Sequence, residues 1–114
     1  MEAAEETLDA TFSALAHPTR RGILRQLQSG EASVGALAEP HGLSLPAVSR
    51  HLKVLEGAGL IARKVDGRFH RCRLVPGAVD EAAAWLDSHR RFWSQQLDSL
   101  ADYVGSLGEG SDGA

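Results

Sequence analysis

The chain has 114 residues, of which 43% are hydrophobic and 24% are charged, and its formal net charge is −3. This length fits a single domain with a modest core and is short for an enzyme with a separate substrate domain. The sequence has no apolar run of about 20 residues, no secretory leader and a single cysteine, Cys72, which argues against a membrane helix, a signal peptide and an intrachain disulfide and favours a cytoplasmic protein.

The first part of the chain predicts three short helices. Residues 1–6 are acidic and small, and we expect them to be flexible. Pro18 suits the first turn of a second helix, and Ser33 can cap a third one that Pro40 and Gly42 end. The apolar residues of the first helix recur at helical spacing: Leu8, Phe12 and Leu15.

A fourth helix is predicted after Ser44, which can act as its N-cap, with Pro46 in the first turn, where a missing N–H costs nothing. Ser49, Arg50 and Lys53 face outward on this helix, because the apolar residues that define its buried side lie at positions i, i+4 and i+7. Those apolar residues are Val48, Leu52 and Leu55.

A β-hairpin is predicted next, because Asp66-Gly67 separates two strand-like runs and both residues accept positive φ. A two-residue loop at this position pairs Val65 with Arg68 and Ile61 with Cys72. Cys72 would then face inward as a small hydrophobic residue rather than act as a redox sensor. The tip of the hairpin would carry its polar side chains into solvent: Arg63, Lys64, Arg68 and His70.

A long helix is predicted from about Ala78 to Ser106. It is longer than so small a core needs, and we therefore expect a dimer. Its apolar residues are spaced by threes and fours: Val79, Ala83, Leu86, Trp93, Leu97, Leu100 and Val104. The expected organisation is a flexible terminus (1–6), a core (7–76), a dimerisation helix (77–107) and a disordered tail (108–114).

The charge is distributed unevenly along the chain. Residues 50–73 contain seven Lys or Arg and two acids, a local charge of +5, whereas residues 80–114 contain seven acids and two arginines. A basic surface on an otherwise acidic protein suggests that one face meets a polyanion.

Short helices, a capped basic helix and a basic hairpin together predict a mostly α-helical fold, the winged helix-turn-helix, which binds duplex DNA. Arg50 could make a bidentate contact to guanine and Ala47 could pack on a thymine methyl group, whereas Lys53 and His51 would approach phosphates. The residues predicted to lie at the DNA on the fourth helix are Ser44, Pro46, Ala47, Ser49, Arg50, His51 and Lys53. Those predicted on the hairpin are Arg63, Lys64, Arg68, His70 and Arg71.

Three segments together resemble the ArsR/SmtB family of winged-helix repressors: FSALAHPTRRGILRQL, ALAEPHGLSLPAVSRHLKVLEGAGLI and KVDGRFHRCRL. The likeness runs from about Thr7 to Leu74, with the long helix beyond. It implies a homodimer that binds a near-palindromic operator and represses transcription, often of its own operon. The implied dimer interface comprises Leu8, Phe12, Leu15, Leu86, Trp93, Leu97, Leu100 and Val104.

The chain departs from the metal sites of that family. Where the resemblance implies a Cys-Val-Cys ligand set, the chain has Ser33-Val34-Gly35. Asp87-Ser88-His89 matches half of the family's C-terminal zinc site, but Leu100 and Tyr103 stand where the other ligands should be. We therefore expect no metal and no cofactor, as in the metal-independent branch of the family.

The sequence leaves three alternatives to DNA binding, of which two are disfavoured. The winged helix could be a protein-interaction module, with the long acidic helix as its working face. An enzyme is disfavoured because the sequence has no convergent acid, base or nucleophile. RNA binding is disfavoured because no exposed aromatic platform for unpaired bases is evident.

Overall fold

The computed structural model describes residues 2–112, and their side chains over residues 5–108. It divides into a first compact unit that ends at Ala82 and a second that begins at Ala83. The elements are α1 (Glu2–Leu15), α2 (Pro18–Leu27), β1 (Ala32–Ser33), α3 (Val34–Ala38), α4 (Leu45–Gly57), β2 (Ile61–Asp66), β3 (Phe69–Leu74) and α5 (Asp80–Asp112). The predicted fold class, helices with a small antiparallel wing, is confirmed.

Both ends of the predicted helical region differ from expectation. Helix α1 begins at Glu2 instead of after a flexible segment over residues 1–6. The Glu-Ala-Ala-Glu-Glu composition explains this, because alanine and glutamate favour helix and acids stabilise its N-terminus. Helix α5 continues to Asp112, beyond the predicted end near Ser106. Its last residues include glycines of low helix propensity, and their sequence does not explain the extension.

The core of the first unit lies between the helices and the sheet. The three apolar residues predicted to share one side of α4 are all fully buried, so the periodicity identified this face correctly. They pack in one cluster with side chains from α1, α2, α3, the turn before β2 and the sheet: Ala14, Ile23, Leu27, Leu37, Leu60, Ile61 and Cys72. Fully burying an aliphatic side chain of this size contributes about 1.5–3 kcal/mol relative to exposure.

Helices α3 and α4 form a helix-turn-helix whose caps the sequence predicts correctly. Ser33 Oγ accepts a hydrogen bond from the Ala36 N–H at 3.2 Å, and Ser44 Oγ accepts one from the Ala47 N–H at 3.3 Å. Between them lie the 3-10 turn Glu39–His41 and Gly42, which adopts the left-handed conformation at φ 61°. The caps satisfy amide groups that a helix start otherwise leaves unpaired.

The turn between α3 and α4 is held against α2. His41 Nε2 lies 2.9 Å from Gln26 Oε1, and Gln26 Nε2 donates to the Ala36 carbonyl at 3.4 Å. The His41 ring also lies close to Gly22, since a Cβ atom added there would come within 2.7 Å of His41 Cε1. Glycine at position 22 therefore permits the close approach of this turn to α2.

The hairpin has a two-residue loop, but it is formed by Gly67 and Arg68, not by Asp66 and Gly67. Asp66 pairs with Phe69 and Ile61 pairs with Leu74, so each β2 residue faces a β3 residue two positions further along than predicted. Of the residues in this turn, only Gly67 has positive φ, at 63°. Glycine at the first central position is typical of a type II′ turn, whereas the prediction required positive φ at Asp66 as well.

The sheet has a third strand that the sequence analysis did not predict. Strand β1 pairs antiparallel with β3, with Ala32 opposite Cys72 and Ser33 opposite Arg71, giving the order β1-β3-β2. Two residues are too few to show the period-two pattern of a strand. The pairing attaches the hairpin to the start of α3, and so to the helix-turn-helix.

The second unit consists of α5 beyond Ala82, and its apolar stripe is exposed in the single chain. Trp93 and Leu97 are each 62% exposed. Within residues 2–112, no helix combines the length and apolarity needed to cross a membrane. The apolar residues of the stripe that are more than half exposed are Leu86, Phe92, Trp93, Leu97, Leu100, Val104 and Leu107.

Candidate nucleic-acid interface

The outward side of α4 carries the basic residues predicted there. Arg50 and Lys53 are exposed, and Ala47 and Ser49 are half-buried beside them. The first turn, with the Ser44 cap and Pro46, is also exposed. These residues belong to the first turns of one helix, the part that reads base edges when a helix enters the major groove.

His51 was predicted to approach a phosphate, but in the structure its side chain packs against the α1–α2 junction. Its ring is half-buried, with the His17 ring centroid 4.5 Å away and Arg20 Nη1 3.2 Å from its Nδ1. Burial, followed by the charges of His17, Arg20 and His41, lowers the pKa of His51. The side chain joins α4 to the α1–α2 junction, because position 51 borders the buried face of the helix.

The α1–α2 junction is itself a polar network. His17 Nδ1 accepts a hydrogen bond from the Thr19 N–H at 3.1 Å and caps α2. Arg20 donates to the carbonyls of Ser13 at 2.9 Å and Ala14 at 2.7 Å. The same guanidinium group therefore binds the end of α1 and the fourth helix.

The hairpin tip presents most of the predicted cations to solvent. Lys64, Arg68, His70 and Arg71 are exposed. Phe69, which the sequence analysis did not select, is 67% exposed at the same tip. The available signal was an apolar aromatic residue between Arg68 and His70, next to the turn.

Arg63 does not lie in solvent at the tip, which corrects the prediction. It is opposite Cys72 in the sheet, its side chain is only 17% exposed, and its Nε lies 3.4 Å from Glu56 Oε1. The actual register explains this, since it brings Arg63 beside the buried end of the hairpin. Cys72 is fully buried, as predicted, and burial raises the pKa of its thiol.

The exposed cations of α4 and the hairpin form no ion pair with any acid whose side chain is described. Among the residues whose side chains are described, the ion pair of Arg63 with Glu56 is the one that involves a cation of this region. A cationic surface that remains uncompensated attracts a polyanion. The cations concerned are Arg50, Lys53, Lys64, Arg68 and Arg71.

The half-site for zinc suggested by Asp87-Ser88-His89 is engaged within α5. Asp87 accepts hydrogen bonds from Arg90 at 2.6 Å and Arg91 at 2.9 Å, and the bond from Arg91 is the main cause that lowers the pKa of Asp87. The His89 ring stacks on Trp85 with centroids 3.8 Å apart. In the part of the chain that the structure describes, no cluster of three or more His, Cys, Asp or Glu residues is arranged to hold a metal ion.

Comparisons with known proteins agree with this architecture. Residues 15–64 match the family model described as "Helix-turn-helix domain". The chain is 38% identical over 101 residues to the HTH-type transcriptional regulator Rv2034 of Mycobacterium tuberculosis, covering 89% of this chain and 92% of that protein. It is 32% identical over 79 residues to the transcriptional repressor SdpR of Bacillus subtilis, covering 69% and 88%.

Solved structures give the same result. The ArsR family transcriptional regulator RHA00566 superposes with a TM-score of 0.74 at 36% identity, covering 79% of this chain and 93% of that one. The homodimeric winged helix-turn-helix DNA-binding domain of Mb0332 from Mycobacterium bovis superposes with a TM-score of 0.64 at 26% identity, covering 80% and 86%. The likeness therefore includes both the wing and the helix-turn-helix.

Proposed function

The chain belongs to the ArsR family of winged helix-turn-helix transcriptional regulators, and we propose that it is a dimeric, sequence-specific repressor of its own or a neighbouring operon. The observation that carries the proposal is the uncompensated cationic surface shared by α4 and the hairpin. As a member of a family of transcriptional regulators, the protein acts by binding and not by catalysis. A repressor of this kind works where the chromosome is, which places it in the cytoplasm.

Base recognition is assigned to the first turns of α4. Arg50 makes a bidentate contact to guanine in the major groove, and Ala47 packs on a thymine methyl group. Ser44, Pro46 and Ser49 lie close to the base edges, and Lys53 binds a phosphate. The exposure of Arg50 and Lys53 supports these roles, whereas His51, which contacts His17 and Arg20, is left out of them.

Backbone contacts are assigned to the hairpin wing. Lys64, Arg68, His70 and Arg71 are exposed, and their polar side chains bind phosphates on the strand that flanks the major groove. Such contacts position the protein without reading sequence. Arg63 contributes charge from a more enclosed position beside Glu56.

The dimer is assigned to α1 and α5. The apolar stripe of α5 is exposed in the single chain, and an exposed apolar surface of this kind is typical of an interface. The homodimeric relative of known structure supports a second copy of the chain as the partner that buries it. The interface residues are those expected from the sequence: Leu8, Phe12, Leu15, Leu86, Trp93, Leu97, Leu100 and Val104. Two-fold symmetry would place the recognition helices about 34 Å apart, one turn of DNA, which fits a near-palindromic operator.

Metal sensing is not part of the proposal. Serine, valine and glycine occupy positions 33–35. In the half-site Asp87-Ser88-His89, the Asp87 carboxylate forms ion pairs with Arg90 and Arg91. Neither region offers a closed set of zinc ligands.

A salt titration of DNA binding tests the proposal. Purified full-length chain is mixed with labelled duplex from upstream of its own gene, and with a scrambled duplex of equal length, between 50 and 200 mM KCl. We expect tighter binding to the upstream duplex and an affinity that falls steeply with salt, since each phosphate contact releases counterions. Equal affinity for both duplexes, or an affinity independent of salt, contradicts the proposal.

A further inference from the structure

A groove lies between α4 and the hairpin, and DNA phosphates alone do not account for its composition. Its volume is about 520 Å³, and it is open to solvent. Two of its walls are large apolar side chains that remain exposed, Leu45 at 56% and Phe69 at 67%. Val34 and Pro46 extend this apolar surface. Ligand sites typically combine apolar walls with a few convergent polar groups.

The polar side chains of the groove include two cations, Arg63 and Arg68. Arg63, Arg68 and His70 line it from the hairpin, and Ser49 lines it from α4. The Arg63 Nε and Nη2 atoms are buried and have no hydrogen-bond partner among the described residues, and the ion pair to Glu56 spans 3.4 Å from Nε. Buried guanidinium nitrogens without hydrogen bonds are costly. An anion placed in the groove would lie beside the positive charges of Arg63 and Arg68, which both line it.

A phosphate of the DNA backbone would use the cations but would not itself cover the apolar side chains of Leu45 and Phe69. A ligand with an apolar body would cover both side chains, and each buried Å² of apolar surface favours binding. We propose that the groove binds an organic carboxylate with an apolar body. The carboxylate contacts Arg63 and Arg68, and the body packs between Leu45 and Phe69.

The position of the groove makes such a ligand a competitor of DNA, an inference that rests on the proposed function. The groove separates the helix assigned to the major groove from the wing assigned to the flanking backbone. The strand between them must pass over this space when both elements are engaged. A bound carboxylate offsets one positive charge of the groove and occupies that space, so DNA binding weakens.

Direct binding is measured first, by calorimetry on the full-length chain without DNA. The probes are octanoate and 2-naphthoate, with 1-hexanol and inorganic phosphate as controls that lack the carboxylate or the apolar body. We expect at least one carboxylate to bind ten times or more tightly than either control. Binding of phosphate as tight as that of the better carboxylate overturns the proposal, and so does the failure of both carboxylates to bind.

Two matched pairs of variants locate the site. Phe69→Ser removes an apolar wall, and Val65→Ser changes an exposed hairpin residue that does not line the groove. Arg68→Gln removes a lining cation, and Arg73→Gln changes an exposed arginine of β3 outside it. We expect carboxylate affinity to fall tenfold or more in the first member of each pair and to stay within twofold in the second. Equal effects within either pair overturn the assignment.

Competition is measured by fluorescence anisotropy of the labelled upstream duplex. Saturating carboxylate should weaken DNA binding tenfold or more for the wild type and for Val65→Ser, but less than twofold for Phe69→Ser. Carboxylate binding without any loss of DNA affinity overturns the competition. If the chain binds carboxylate with the expected variant pattern but binds no duplex, the proposed function fails while the ligand site stands.

Discussion

Arg20 Nη1 lies 3.2 Å from Nδ1 of His51, and this contact joins α2 to α4 across 31 positions of sequence. Because an arginine can only donate, His51 Nδ1 accepts, and the ring is neutral with its proton on Nε2. The same arginine binds the Ser13 and Ala14 carbonyls. One side chain therefore holds the end of the first helix and the DNA-facing helix together.

Replacing Arg20 should destabilise the fold. Arg20→Gln removes donors to two carbonyls and to His51, and we expect the free energy of unfolding to fall by about 2 kcal/mol, since hydrogen bonds from charged groups contribute about 1.5–3 kcal/mol. Arg21→Gln, whose native residue makes one exposed bond to the Leu15 carbonyl, is the control and should cost less. Urea denaturation followed by circular dichroism measures both. Equal midpoints for the two variants would contradict this role of Arg20.

Stability should depend on pH through His51. Its pKa in the folded chain is lowered, chiefly by burial, so the unfolded chain binds the proton more readily. The stabilisation is complete above the ordinary histidine pKa of about 6.5 and is lost as pH falls through the lower folded value. Urea midpoints at pH 7.5, 6.5 and 5.5 should show a decrease that is smaller in His51→Gln. His89→Gln, on α5, should retain the wild-type decrease, and an identical decrease in all three proteins would argue against His51.

Two arginines should affect DNA binding in different ways. Arg50→Ala should cost about 1–3 kcal/mol on the operator and reduce discrimination against a scrambled duplex, because Arg50 is assigned to a base. Arg68→Ala should weaken binding to both duplexes alike and lower the salt slope by about one, because it is assigned to a phosphate.

Anisotropy titrations at several salt concentrations measure both effects. Arg25→Ala, an exposed arginine of α2 outside the site, serves as the control and should bind like the wild type. Unchanged discrimination in Arg50→Ala would show that α4 does not read bases through that residue.

A charge placed in the stripe of α5 should produce monomers. Leu97 is 62% exposed in the single chain, and a lysine there would put a charge in the proposed apolar interface. Sedimentation equilibrium at micromolar concentration should give twice the 12.2 kDa chain mass for the wild type and 12.2 kDa for Leu97→Lys. Gln95→Lys, about 200° away around the helix, should remain dimeric. A wild-type mass of 12.2 kDa would remove the basis for the dimer.

Two glycines should respond oppositely to alanine. Gly67 has φ 63°, a conformation strained for alanine, so Gly67→Ala should cost about 1 kcal/mol. A Cβ at Gly57, the last residue of α4, meets nothing within 4 Å. Gly57→Ala should therefore stabilise by up to about 1 kcal/mol through helix propensity. Thermal or urea unfolding measures both, and a neutral Gly67→Ala would be inconsistent with the observed turn.

Features encoded within one element were predictable from the sequence. The Ser44 cap and the spacing of Val48, Leu52 and Leu55 are local, and the structure has both. The inward side of the hairpin was also predicted correctly, since a shift of two positions along β3 keeps every side chain on its face. The predicted strand pairing was wrong. Loop length could not decide between the two registers, because a loop at Asp66-Gly67 and one at Gly67-Arg68 both contain two residues.

Features that depend on contacts between distant segments were not predictable. His51 was placed at the DNA because its partner Arg20 is 31 residues away and nothing local indicates the contact. Arg63 was placed in solvent because its proximity to Glu56 depends on how α4 packs against β2. The groove walls Leu45 and Phe69 come from different elements, and only the folded chain brings them to one cavity.

The absence of a side chain at Gly22 leaves room for the His41 ring, which holds the turn before α4 against α2. A methyl group there would overlap His41 Cε1 and displace the ring from Gln26. The contact that holds the turn before α4 against α2 would then be lost, although Arg50 and the other residues assigned to the duplex stayed the same. In the proposed two-fold dimer this loss would occur twice, once in each chain, so a position outside the proposed DNA contacts bears on both recognition helices.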